Sequence, residues 1–184
     1  LTALHAELSA ESQGSAATID GLFSPYNETR MIEGLPEEVT LMPYGEVNEA
    51  ASEYASYVLY LEDGYEVDVE NHVLTARPAN RTGIAAETHL KISQAPNMSA
   101  DEATQMIKGK CEDANYTHRA EQNADDGLHY TDNEGPQPNV IDYYIMDNGK
   151  SGVFITEIKV PLDAVEGHGA RLHQSINTFK IFEN

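Results

Sequence analysis

Seven histidines and 31 Asp and Glu residues are the side chains of this 184-residue chain with most to offer chemistry, as metal ligands or as general acids and bases. His168 and His173 lie five apart, a spacing that turns two side chains off a common helical face. His89, His118 and His129 fall in separate predicted strands, and no His-Glu-x-x-His pattern joins any pair. Histidine ligation of a metal is therefore not expected. The acids are more clustered. Asp125-Asp126, Asp132 with Glu134, and Asp142 with Asp147 sit in or beside predicted loops, and close-spaced oxygens suit a hard cation such as calcium. None of these segments has the alternating acids, central glycine and distal glutamate of a calcium loop. Asp125, Asp126, Asp132 and Glu134 are the candidates for a divalent-cation site; a solvated acidic loop is the competing reading.

Nucleophiles are less prominent. No serine lies in Gly-x-Ser-x-Gly, and Cys111, the single cysteine, has no activating signature around it. One thiol excludes a disulfide within the chain and a cysteine-based zinc cluster. Gly34, Gly45 and Gly64 stand alone, so no phosphate-cradling loop is present. No catalytic or cofactor-binding residue is assigned. The tyrosines point elsewhere, because a ring with a polar tip suits recognition surfaces as well as strands. Tyr57, Tyr60 and Tyr65 are the candidate partner-binding residues, with Tyr54, Tyr143 and Tyr144 nearby in type.

Charge narrows the partners. Eleven Lys and Arg against 31 acids leave a net charge of -20, which repels phosphate backbones and anionic lipid heads. Nucleic acid and direct binding to an anionic membrane are not expected, a lipid anchor apart; cations and basic partners are favoured. No apolar run approaches the ~18 residues that span a bilayer. Asn-x-Ser/Thr triplets at Asn27, Asn80, Asn97 and Asn115 are glycan acceptors only in a eukaryotic secreted context.

The elements that position these groups follow from periodicity. Residues 1–35 hold no sustained period, Ser9–Thr18 is linker-like, and the stretch is read as an arm or tether. Residues 36–184 form one domain. Val39–Met42, bounded by Pro36 and Pro43, is the first strand, and Glu46–Ser52 a short helix. Tyr57–Leu61 and Tyr65–Val69 form a hairpin across Glu62-Asp63-Gly64, with Tyr65, Val67 and Val69 on one face and Glu66, Asp68 and Glu70 on the other. Val73–Ala76 and Thr88–Ile92 are strands. Ser99 and Glu102 have the spacing of a capping box, opening a helix that Gly109 ends. Short strands fall at Tyr116–Ala120 and Leu128–Tyr130, and Val140–Met146 pairs with Val153–Val160. Pro161 opens a last helix with Leu162, Val165, Leu172 and Ile176 inward. The expected fold class is α+β, a mainly antiparallel sheet with helices packed on it.

Leu61-Glu62-Asp63-Gly64-Tyr65-Glu66-Val67 resembles the strand, glycine-aromatic, strand opening of the PsbP-like α-β-α sandwich. His89–Ser93 leading to the helix at Ser99, Gly152–Val160 leading to the last helix, and the closing Ile176–Ile181 are similar to the same fold in small exported bacterial lipoproteins. The resemblance implies an α-β-α sandwich and a non-enzymatic binding or assembly module outside the cytoplasm, with residues 1–35 as the tether from a lipid anchor. It implies no site residues. The expected function is an extracytoplasmic interaction module with a protein or cell-envelope partner. A carboxylate-dependent hydrolase and a divalent-cation-responsive domain are the alternatives.

Overall fold

The computed structural model describes residue 19, residues 21–120 and residues 126–183, the side chains of 84 and 85 excepted. Turn chemistry decides its first hairpin. Glu33 (φ 52°) and Gly34 (φ 78°) are both left-handed, the two-residue turn whose twist matches paired strands. Tyr26–Ile32 (β1) therefore pairs antiparallel with Leu35–Glu46 (β2), Ile32 opposite Leu35. Residues 26–32, within the stretch read as an arm, are thus part of a sheet; Ser9–Thr18 lies outside the described residues. β2 passes from one partner to the next. Leu35–Leu41 faces β1, and Leu41–Glu46 faces Ser56–Glu62 (β3). Pro36 and Pro43, expected as strand boundaries, lie inside β2. Each sits on a half with a single neighbour, where a missing N–H need not break a ladder. No helix forms at 46–52; β2 runs to Glu46 and turns follow.

The turn at Glu62-Asp63-Gly64 does not make a hairpin. β3 belongs to a four-stranded sheet, ordered β1-β2-β3 and then Lys180–Phe182 (β11), whereas Tyr65–Glu70 (β4) is the edge of a seven-stranded sheet. The turn's backbone explains the switch: Asp63 N–H donates to Thr40 in β2, while the Gly64 carbonyl accepts from Ala79 beyond Val73–Pro78 (β5). β3 is buried along nearly its whole length. It stacks over the second sheet, and the short turn carries the chain from one layer to the other.

The seven-stranded sheet runs β4-β5, then His89–Ala95 (β6), Val153–Pro161 (β10), Asn139–Asp147 (β9), Leu128–Asp132 (β8) and Thr117–His118 (β7). β9 and β10 pair across 148–152 as expected. Alternation sorts each strand between two cores. On β10, Phe154, Ile158 and Val160 join Tyr57, Leu59, Leu61 and Leu172 between the sheets. Val153 and Ile155 face Ala103, Ile107 and Cys111 of the helix Ala100–Asp113 (α1) on the other side. Strand accounts for 47% of the described residues against 20% helix. The α-β-α sandwich is therefore corrected to a β-rich fold of two antiparallel sheets, with two α-helices among the described residues. The second sheet covers a face that helices cover in the expected sandwich.

α1 starts on the expected box: the Ser99 hydroxyl accepts Glu102 N–H, and the Glu102 carboxylate accepts Ser99 N–H. It passes through Gly109 and ends at Asn115, whose φ of 55° carries the left-handed residue that usually closes a helix. Asn115 N–H reaches Glu112 O and Tyr116 N–H reaches Cys111 O, the paired closing bonds of that motif. The last helix is not one continuous element. After Pro161 comes a tight turn at Leu162–Ala164, a wide π turn at Val165–Gly169, and α-helix only over Ala170–Ile176 (α2). Leu162 is exposed as a result.

Candidate functional site

Three carboxylates, Glu62 and Asp142 buried and Glu157 partly buried, hold the elements together, each on a different set of basic side chains. Glu62 of β3 binds Arg30 of β1 and Arg171 of α2. Glu157 of β10 accepts from His89 Nε2 at 2.7 Å and Lys110 Nζ at 2.8 Å, pinning α1 to the sheet. Burial opposes its charge, but His89, Lys110 and Tyr143 outweigh that and hold its carboxyl well below the usual range.

Asp142 is the third. β8 and β9 place His129 directly opposite it, and His129 Nδ1 donates to Oδ1 at 2.6 Å, beside Arg119. From α2, His173 Nε2 meets Oδ2 at 3.1 Å, and its Nδ1 lies 2.7 Å from the Gly169 carbonyl. Both ring nitrogens of His173 thus face acceptors, an arrangement that favours the doubly protonated ring. Burial pulls the His173 pKa down, but the Asp142 hydrogen bond and the Gly169 carbonyl prevail and raise it. For Asp142, burial is outweighed by the bonds from His173 and His129 and by Arg119, and its pKa is lowered. Neither oxygen of Asp142 is left without a partner, and the cluster is a clasp between α2 and the sheet. His168 goes elsewhere, to the Tyr65 hydroxyl at 2.8 Å; it lies in the π turn and His173 in α2, so the α-helical spacing expected for the pair does not apply.

The tyrosine expectation is corrected for Tyr57 and Tyr65. Tyr57 is fully buried between the sheets against Phe154 and Phe179, and Tyr65 is buried beside His168. Their rings supply core volume and offer no surface. Tyr60 is half-buried, edge-on to Tyr26.

Of the acidic candidates, Asp125 lies outside the described residues, Asp126 is exposed, and Asp132 and Glu134 share one cleft. Asp132 and Asp142 occupy opposite faces of the sheet, so they form no carboxylate pair. α1 covers only part of its face. Beyond its C-terminal end the same face carries Asp132, Asn139, Lys159 and Pro161, with Asp132 opposite Asn139 in register and Asn139 opposite Pro161. The segments 83–87 and 133–137 wall this into a cleft of about 510 Å³. Asp132 accepts from Lys159 Nζ at 3.0 Å and from Glu134 N–H at 2.9 Å. Burial disfavours the Lys159 charge, yet Asp132, then Tyr116 and Glu87, raise its pKa. Asn139 is 5% exposed, and its amide oxygen meets no donor. A buried acceptor without a partner costs about 1–3 kcal/mol. Asn139, Lys159 and Glu87 were not singled out in the sequence; the facing of β8, β9 and β10 is what gathers them.

Among the described residues no three His, Cys, Asp or Glu side chains gather as a metal site, and no helix is long and apolar enough to cross a membrane.

No family model matches the chain, and no curated protein matches it. Among solved structures, a crystal structure from Bacteroides thetaiotaomicron aligns at 11% identity and a TM-score of 0.41, over 70% of this chain. The aligned region spans 46% of that protein. An overlap this loose carries no argument about either molecule.

Proposed function

We propose that this chain is a non-catalytic extracytoplasmic binding module, the ectodomain of a bacterial lipoprotein, which seats part of a protein or cell-envelope partner in the cleft beside Asp132. The carrying observation is the cleft itself: the sheet face is left uncovered where buried Asp132 and Asn139 stand beside the half-buried Lys159. Placement outside the cytoplasm rests on the linker-like composition of Ser9–Thr18; the resemblance to exported lipoproteins adds nothing to it, because the sandwich it implied is not the fold found. A photo-crosslinking residue at position 134, on the cleft rim, should capture an envelope component in the native host. The control is the same residue at position 66, on the exposed face of β4. Equal capture from both positions, or fractionation of the chain with the cytosol, would sink the reading.

A further inference from the structure

The cleft's donors and acceptors are unbalanced. Its side chains include three carboxylates, Glu87, Asp132 and Glu134, and one cation, Lys159. Lys159 is committed to Asp132 and feels Glu87 only through space, so Glu87 and Glu134 stand exposed on the rim without an ion pair of their own among the described residues. Beneath them lies the Asn139 amide oxygen, an acceptor with no donor. Everything the cleft leaves unanswered asks for a cationic hydrogen-bond donor. A metal ion is poorly served, because no three ligating side chains gather among the described residues. The cleft already holds one group of the right kind, the protein's own Lys159 ammonium at 3.0 Å from Asp132.

We propose that the cleft binds a primary ammonium group, which lies between Glu87 and Glu134 and donates toward the Asn139 amide oxygen beside the Asp132–Lys159 pair. This rests on the binding-module reading and names the chemistry of its ligand. A net charge of -20 raises the local concentration of any such cation before contact. The ammonium can belong to a lysine side chain of a polypeptide or to a free small amine, and the chemistry of capture is the same.

The test is an NMR titration of the full chain at low ionic strength with four probes: acetyl-lysine methylamide, cadaverine, the matching five-carbon diol, and calcium chloride. Saturable shifts confined to Asp132, Glu134, Asn139 and Lys159 are expected with the amines only. Saturation by the lysine derivative alone identifies a polypeptide source, and saturation by cadaverine alone a free amine. A double variant, Glu87→Gln with Glu134→Gln, should weaken the amine about tenfold, as two exposed ion pairs would. Asn139→Leu should weaken it further; if that variant fails to fold, the exposed glutamine pair still decides. Equal shifts with the diol overturn the ammonium assignment and leave the cleft standing as a binding site. Shifts with calcium alone overturn it in favour of a metal. No saturable shift with any probe overturns it too; the binding-module reading then stands or falls separately, on the crosslinking.

Discussion

Replacing Asp142 by Asn keeps the side chain's size and removes the charge on which Arg119, His129 and His173 converge. Asp142 is buried, and breaking a buried ion pair by deleting one partner costs about 3–5 kcal/mol. Only part of that belongs to His173, which keeps 36% of its side chain in solvent, so its contact is discounted to about 1 kcal/mol. The sign with pH follows from the two shifts. His173 is raised above its ordinary 6.5, so its contribution is complete below that value and is lost as pH rises through the folded pKa. Asp142 is lowered below its ordinary 3.8, so its contribution is present above that value and is lost as pH falls through the folded pKa. The clasp is strongest between the two. Urea unfolding at about pH 5.5 should show Asp142→Asn destabilised by about 3 kcal/mol, a loss of roughly 6–12 °C in Tm for a chain of this size. At about pH 9 the penalty should shrink by about 1 kcal/mol, because neutral His173, its Nδ1 proton held by Gly169, then turns a lone pair toward the carboxylate. A double-mutant cycle with His173→Gln isolates that share from the other histidines. An Asp142→Asn penalty that is the same at both pH values, or a cycle with no coupling, would refute the charged clasp.

Two tyrosines of similar burial should behave oppositely. Tyr65→Phe loses the hydroxyl bond to His168 and should cost about 1 kcal/mol, whereas Tyr57→Phe removes a buried hydroxyl with no partner and should be neutral or stabilising; chemical denaturation compares them. Gly45→Ala would drive a Cβ to 1.9 Å from the Tyr57 carbonyl, with the Ile19 side chain at 2.9 Å. It should cost about 4 kcal/mol or more, seen as lost soluble yield and lost cooperative melting. Ser99→Ala removes the hydroxyl half of the capping box and should cost about 1 kcal/mol, read as a small fall in Tm.

Elements whose information is local were legible. Ser99 and Glu102 act within three residues of each other, the β9–β10 hairpin closes over a short turn, and the alternation of Tyr65, Val67 and Val69 needs only one strand. Gly109 misled because the left-handed closure falls at Asn115, two residues after the last helical residue Asp113, and is supplied by an asparagine instead of a glycine. Glu33-Gly34 was missed because glutamate is not among the residues, Asn, Asp and Gly, that mark the first position of such a turn.

By itself the sequence determined the acidity, the β-rich alternating segments, the capped helix and the absence of a pairable second cysteine, since each depends on composition or on neighbours a few residues apart. Tertiary structure alone decided which sheet each strand joins. Asp63-Gly64 suits a hairpin and a crossing between layers equally, and the choice lies with Thr40 and Ala79, far along the chain, which take its hydrogen bonds. The same holds for the sites. Asp142 meets His129 through strand register and His173 through helix packing, and Asp132 meets Asn139 and Lys159 only because three strands lie side by side. Contacts of that kind are set by the burial of two cores at once, a property of the whole chain that no short window of residues contains.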